Sequence, residues 1–330
     1  MLTTVPTIDI APFLAEAPGA AEVVQQVARA CEDIGFFGVT GHGIDPSMRS
    51  HTVETARSFF RLPFDEKQRA RAPGLTPRGY LPIGLEGLSY SRGEAAPADL
   101  KEAFQIGPEY DAAAYYQAPE ALPHFHPNLW PERPPAMRQA LTDYYRAMNG
   151  LARELMRIFA LGLDLPKNFF DGKIDRHITV MRLLHYPEQR TAPVAGQMRA
   201  GAHSDYGSLT ILHSENVEAG LQVVNKAGDW VDVTAPAGSF IINIGDLMMR
   251  WTNDRWISTL HRVVNPPAAR ASSDARLSIA FFHHPNYDTE VACLPGCADV
   301  ARPAKYPPVN AGPYRLQKYS AARSAFTPAS

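Results

Sequence analysis

Hydrophobic positions change their spacing near residue 178. Before that point helical spacing dominates. Ala20 to Asp33 (AAEVVQQVARACED) carries apolar residues three and four apart, which predicts a helix. A short apolar run, Thr7 to Ile10, precedes it and reads as a strand. Gly35-Phe36-Phe37-Gly38-Val39 reads as a buried strand ended by Gly41-His42-Gly43, and a second helix is expected from about Ser47 to Phe60, stopped by Pro63. Residues 72 to 132 are rich in Pro, Gly and Ala and read as functional or covering loops. Pro135 to Leu163 is the longest helical pattern. Met137, Leu141, Tyr144, Tyr145, Met148, Leu151, Leu155, Ile158, Phe159 and Leu163 form its apolar stripe, as expected of a scaffold helix laid against a sheet.

From Ile178 the rhythm becomes that of short strands. Thr179–Tyr186, Ser208–Leu212, Leu221–Asn225, Trp230–Val233, Phe240–Ile244, His261–Asn265 and Arg276–Phe282 are candidates, separated by turn signals such as Ala227-Gly228-Asp229 and Ala237-Gly238. Many short, evenly spaced strands argue for a sandwich or barrel, and a small jelly roll closes its edges while leaving an open mouth.

Composition narrows the class. The 330 residues suffice for a sizeable core. Hydrophobic content of 45% and charged content of 20% are ordinary for a soluble globular protein. A formal net charge of -2, with no basic run, argues against nucleic acid or an anionic membrane as partner. The N-terminus lacks a basic segment followed by an apolar run, and no window has the apolar length of a membrane span. Three cysteines, Cys31, Cys293 and Cys297, suit a reducing compartment, and a cytoplasmic protein is expected. Cys293 and Cys297 read as free thiols.

The chemistry concentrates in the strand-rich half. His203-Ser204-Asp205 places two ligands on one side of a strand end, because side chains alternate with period two. His261, opening a later predicted strand, supplies a third. Two imidazoles and a carboxylate on one face of a metal leave positions open, the arrangement of non-haem Fe(II) oxygenases. Each part alone is weak: a His-X-Asp pair is common, and a lone His is more often packed or solvated than a ligand. Zinc hydrolysis with the same three residues would leave Arg276 and Ser278 without a role. His124 and His126 lie in a Pro-rich stretch with no carboxylate pattern, and the adjacent His283 and His284 would face opposite sides of a strand. Arg276 and Ser278 face one way along their strand, where a planar guanidinium and a hydroxyl suit a carboxylate. Tyr186 could add a hydrogen bond.

The order of these motifs, with others along the chain, resembles the isopenicillin N synthase-like branch of the Fe(II)/2-oxoglutarate oxygenases. VPTIDIAPF and ACEDIGFFGVTGHGI resemble its N-terminal region; PRGY, DLKEAFQIG and PNLWP its middle; LLHYPEQ, HSDYGSLTIL, GLQVVNKAGDWVDV, FIINIGDLMMRWTNDRWISTLHRVVNPP and RLSIAFFHHPNYD its catalytic core. The resemblance implies a mainly β fold, a distorted double-stranded β-helix of the jelly-roll or cupin-like kind with flanking α-helices and an α/β N-terminal region. It implies one integrated unit: an N-terminal region over 1–130, a scaffold helix over 131–175, the catalytic double-stranded β-helix over 176–290 and a C-terminal extension over 291–330. It implies Fe(II) on His203, Asp205 and His261, and 2-oxoglutarate bound by Arg276 and Ser278 with help from Tyr186. Succinate and CO2 would form from 2-oxoglutarate and O2 while a small molecule is hydroxylated, desaturated or cyclised. Leu184 departs from plant members, which often carry Asn there. The His261–Arg276 interval is also longer than usual, with Ala268 to Asp274 expected to form a loose hairpin loop.

Two other functions stay in view: an Fe(II) oxidase of the same fold that does not consume 2-oxoglutarate, and a non-catalytic binding protein. The expected partner is a small molecule, an acidic one among the candidates, and the chain is expected to be a monomer or weak homodimer. Arg182 shares strand parity with Tyr186 and would meet either an acidic substrate or a structural carboxylate. Phe282 shares the parity of Arg276 and Ser278 and is a candidate for lining the substrate pocket, with core packing as the other reading. Tyr80, Lys101, Glu102, Phe104 and the Tyr80–Tyr90 loop are candidates for substrate contact or a lid.

Overall fold

The computed structural model describes residues 5–72, 74, 76–109, 116, 119–214, 220–267 and 275–326. Its strands are β1 (Thr7–Asp9), β2 (Phe36–Thr40), β3 (Gly79–Leu81), β4 (Glu102–Ile106), β5 (Val180–Tyr186), β6 (Ala200–His203), β7 (Leu209–Ser214), β8 (Leu221–Val224), β9 (Trp230–Asp232), β10 (Phe240–Ile244), β11 (His261–Val263), β12 (Arg276–His283), β13 (Glu290–Val291) and β14 (Val309–Asn310). The principal helices are α1 (Ala20–Asp33), α2 (Pro46–Phe60), α3 (Met137–Gly162), α4 (Asp246–Trp251) and α5 (Ala311–Ser324).

A large sheet runs in the order β1-β2-β10-β7-β12-β5-β4-β3, and a smaller one in the order β6-β11-β8-β9. Together they form the jelly-roll core of a mainly β protein. Period-two alternation sorts the side chains of the large sheet. On β12, Leu277, Ile279 and Phe281 enter the core beneath the helices, whereas Arg276, Ser278, Ala280 and Phe282 turn to the space between the sheets. On β5, Met181 and Leu183 go one way and Arg182, Leu184 and Tyr186 the other.

Helix α3 covers the outer face of the large sheet. Its buried residues include Met137, Leu141, Tyr144, Tyr145, Met148, Leu151, Leu155, Ile158 and Phe159, the stripe anticipated from spacing. Helices α1 and α2 pack beside it through Val23, Val27, Val53, Ala56 and Phe59. Gly35 lets α1 turn directly into β2. Its φ is +68°, and a Cβ there would stand 2.0 Å from the Ile257 carbonyl oxygen.

The N-terminal region shares the large sheet. Strand β2 pairs with β10, and β4 pairs with β5, so the first 106 residues supply both flanks of the sheet that carries the site. Strands β3 and β4 lie within the stretch read as loops. All five residues of β4 are buried, Glu102 and Gln105 included, so no alternation marks it as a strand. Strands β11 and β12 belong to different sheets, so their link crosses between sheets and is not a hairpin loop. Ala268 to Asp274 lie outside the described residues. Among the described residues no helix is long and apolar enough to cross a membrane.

Phe159 is fully buried and meets Trp256 edge-on at 5.1 Å between ring centroids. Phe159→Ala is expected to cost about 3–5 kcal/mol, the usual result of emptying an aromatic core position. Urea unfolding followed by circular dichroism checks this: the midpoint falls while the slope stays constant.

Candidate metal centre

Strands β6 and β11 run antiparallel with His203 directly opposite His261. This brings the two imidazoles to 4.2 Å between centroids. The His203 Nδ1 lies 2.7 Å from the Gly201 carbonyl oxygen and the His261 Nδ1 lies 3.1 Å from that of Thr259. Each Nδ1–H therefore donates to its own strand, and each Nε2 lone pair faces inward. Burial, followed by the neighbouring His261, pushes His203 down to about 3, so its imidazole is neutral as a ligand must be.

Asp205 follows the end of β6. Its Oδ2 accepts from the Thr210 hydroxyl at 2.5 Å and from the Asn243 amide at 2.7 Å. Thr210 on β7 and Asn243 on β10 are register partners in the large sheet, so both reach the same carboxylate. Burial alone would raise Asp205; the hydrogen bonds from Asn243 and Thr210 favour its charged form, and the carboxyl lies below its ordinary value. Its Oδ1 stays free, 3.8 Å from the His203 Nε2 and 3.6 Å from the His261 Nε2. These separations exceed a hydrogen bond. One ligand atom from each residue lies within 4.8 Å of the others, close enough to share one ion.

The backbone around Asp205 has little room. A Cβ on Gly207 would stand 2.1 Å from the His283 carbonyl oxygen. The Asp205 carbonyl accepts from the Asp246 N–H at 2.7 Å, where α4 begins. Asp246 in turn accepts from Ser258 at 2.8 Å and from Tyr314 of α5 at 3.1 Å. Thr210 and Asn243 were not singled out from sequence, although a polar residue inside LTIL and FIINI is the signal that marks them.

The triad opens into a cavity of about 1000 Å³, mouth included, between the two sheets. Arg276, Ser278 and Tyr186 line it. Arg276 lies opposite Tyr186 in the β12–β5 register, its guanidinium carbon 5.6 Å from the ring centroid and its Nε 3.2 Å from the Ser278 Oγ. Leu184, opposite Ser278, adds an apolar wall there. Phe282 also lines the cavity.

Arg182 lines it too, but in a two-pronged ion pair with Glu86, both contacts 3.1 Å. Lys101 faces inward beside Glu86 and is bonded to Asp99. Burial would raise Glu86; Arg182 and Lys101 outweigh it and hold the carboxyl at about 2. Tyr80 and Phe104 do not meet the expectation of substrate contact. Phe104 pairs with Leu183 in register and so faces the helix-covered core, where it meets Phe59 edge-on. Tyr80 stands opposite it on β3 and donates to Glu102 at 2.5 Å. Glu102 points away from the cavity as well and accepts from Lys67 at 2.7 Å. Of the Tyr80–Tyr90 loop, Glu86 and Leu88 reach the cavity. Helix α5 closes part of its wall with Arg315 and Tyr319, which sequence reasoning did not select.

Comparison with known proteins agrees with this geometry. Residues 5–133 match the model of the non-haem dioxygenase in morphine synthesis N-terminal region, and residues 177–285 that of the 2OG-Fe(II) oxygenase superfamily. The chain is 37% identical over 314 residues to the 2-oxoglutarate-Fe(II) type oxidoreductase hxnY of Emericella nidulans, covering 93% of this chain and 87% of that protein. It is 35% identical to the homoarginine-6-hydroxylase 2-ODD-C23.1 of Arabidopsis thaliana, over 92% of this chain and 90% of that one. Full-length Neurospora crassa T7H, solved with alpha-KG and thymine, superposes with a TM-score of 0.83 at 32% identity, covering 96% of each chain. The chain belongs to the Fe(II)/2-oxoglutarate oxygenase superfamily. It is a 2-oxoglutarate-dependent dioxygenase, and its cofactors are Fe(II) and 2-oxoglutarate with O2.

Removing a partner that orients a metal ligand typically weakens metal binding by about 10- to 100-fold. Asn243→Ala is expected to lower Fe(II) affinity by that factor, with Thr210→Val acting in the same direction. Anaerobic Fe(II) titration of the two variants against the parent protein checks both.

Proposed function

We propose that His203, Asp205 and His261 hold Fe(II) on one face, that Arg276 and Ser278 receive the far carboxylate of 2-oxoglutarate beside Tyr186, and that the enzyme hydroxylates a small acidic molecule in the same cavity. The carrying observation is that the triad and the Arg276–Ser278 pair line one cavity between the sheets. Hydroxylation is supported by relatives named as hydroxylases, the homoarginine-6-hydroxylase of Arabidopsis thaliana and the proline hydroxylase buaE of Petromyces alliaceus, the latter 33% identical over 91% of this chain.

When bound, iron and 2-oxoglutarate supply the oxidising chemistry, with the keto acid and O2 giving succinate, CO2 and the oxygen placed on the substrate. The protein's residues supply placement. The backbone carbonyls of Gly201 and Thr259 keep the protons on the two Nδ1 atoms. Thr210 and Asn243 occupy Oδ2 of Asp205, which leaves Oδ1 for the metal. The Arg276 fork matches a carboxylate in two-pronged fashion. Leu184, Leu221, Val263 and Phe282 line the space between with apolar surface and limit the water it holds. No side-chain acid or base is required.

An acidic substrate suits a cavity lined by Lys101, Arg182, Arg276 and Arg315 against Glu86 and Asp205. The free thiols of Cys31, Cys293 and Cys297 favour the cytoplasm.

Anaerobic addition of Fe(II) and then 2-oxoglutarate is expected to produce the visible charge-transfer band of the chelate, and His203→Ala to abolish it. Arg276→Gln is expected to raise the KM for 2-oxoglutarate about 10- to 100-fold, the value of a charge-assisted hydrogen bond. Oxygen uptake without succinate formation would overturn the proposal.

A further inference from the structure

Four cationic side chains line the cavity: Lys101, Arg182, Arg276 and Arg315. Three have partners that account for them. Lys101 and Arg182 share Glu86 and Asp99, two cations on two carboxylates. Arg276 lies with Ser278 and Tyr186, where the reading above puts 2-oxoglutarate.

Arg315 is different. It projects from α5, is 4% exposed and, among the described residues, has no carboxylate within ion-pair distance. Its hydrogen-bond partner is the Nδ1 of His124, and the Tyr319 ring lies 5.8 Å away. His124 does not supply a countercharge. Its Nδ1 must accept from the guanidinium, and burial, followed by Arg315 and Arg78, keeps the imidazole far below its usual value and neutral. Burial, then repulsion from Arg78, pulls Arg315 itself down to about 9. A buried charge without a counterion is costly, and an anionic group in the cavity would relieve that cost at Arg315.

The wall beside Arg315 offers it no countercharge. His284 lines the cavity, is 3% exposed, and burial, followed by Arg315, keeps its imidazole far below its usual value and neutral. With Glu86 and Asp99 already matched to Lys101 and Arg182, a ligand with one negative charge would supply the countercharge that Arg315 lacks.

We propose that Arg315 is a specificity-determining residue that receives a carboxylate of the substrate, so that the enzyme selects small acids bearing one carboxylate beyond the part presented to the metal. The proposal rests on the Fe(II) and 2-oxoglutarate reading above, and it deepens that reading by naming the substrate class and its anchor.

The test compares matched probes. A panel of small carboxylic acids (aliphatic, aromatic and amino acids, with L-proline and L-homoarginine among them) and their primary amides is titrated calorimetrically into the anaerobic Fe(II)·2-oxoglutarate enzyme. At least one acid is expected to bind about tenfold or more tighter than its amide. In Arg315→Gln that preference disappears, and in Arg315→Lys part of it returns, while the 2-oxoglutarate charge-transfer band is unchanged in both. The proposal falls if no acid binds, if acids and amides bind alike, or if the preference survives in Arg315→Gln. The comparison in the parent protein needs no variant, so a misfolded variant does not remove the test. Loss of the charge-transfer band in the parent protein would be failure of the Fe(II) and 2-oxoglutarate reading, which is a separate result.

Discussion

The arrangement depends on how one carboxylate is held. Asp205 belongs to the end of the small sheet's β6, yet its Oδ2 is fixed by Thr210 and Asn243 of the large sheet. That pair of hydrogen bonds ties the two sheets together where the metal ligands converge. It also decides which oxygen is left for the ion. Because Thr210 and Asn243 face each other across β7 and β10, a slip of either strand by one residue would turn its polar side chain out of the site.

Much of this was legible because the relevant signals are local. Arg276 and Ser278, and likewise Arg182, Leu184 and Tyr186, share a face by period two alone, and β12 and β5 obey it. The stripe of α3 was readable for the same reason: one apolar face repeats without interruption. His203 and Asp205 are two positions apart, so only His261 had to be brought in from a distance.

The parts that were not legible depend on pairing between distant segments or on polar groups used as core. Strand β4 buries Glu102 and Gln105, so its pattern does not alternate, and the side on which Phe104 falls is set by its register with β5. Helix α5 buries Arg315 and Arg323 where a periodic helix would carry apolar residues, so its inward face reads as solvent-facing. The ion pairs of Glu86 with Arg182 and Lys101 join a loop to strands β5 and the start of β4. Nothing in the spacing of those residues announces them.

The attachment of α5 has an evolutionary consequence. The helix is held through the Gly87 N–H on the Ala322 carbonyl, through Phe326 against Tyr90, and through Tyr314 on Asp246, none of which is a ladder bond of either sheet. The oxidising half of the site is built on paired strands, whose side chains are constrained by register. The wall carrying Arg315 is a helix face, where one side chain can be exchanged without shifting its neighbours' pairing. Descendants of this chain can therefore acquire a new taste for substrates through point changes near the C-terminus while the iron-binding apparatus is inherited intact.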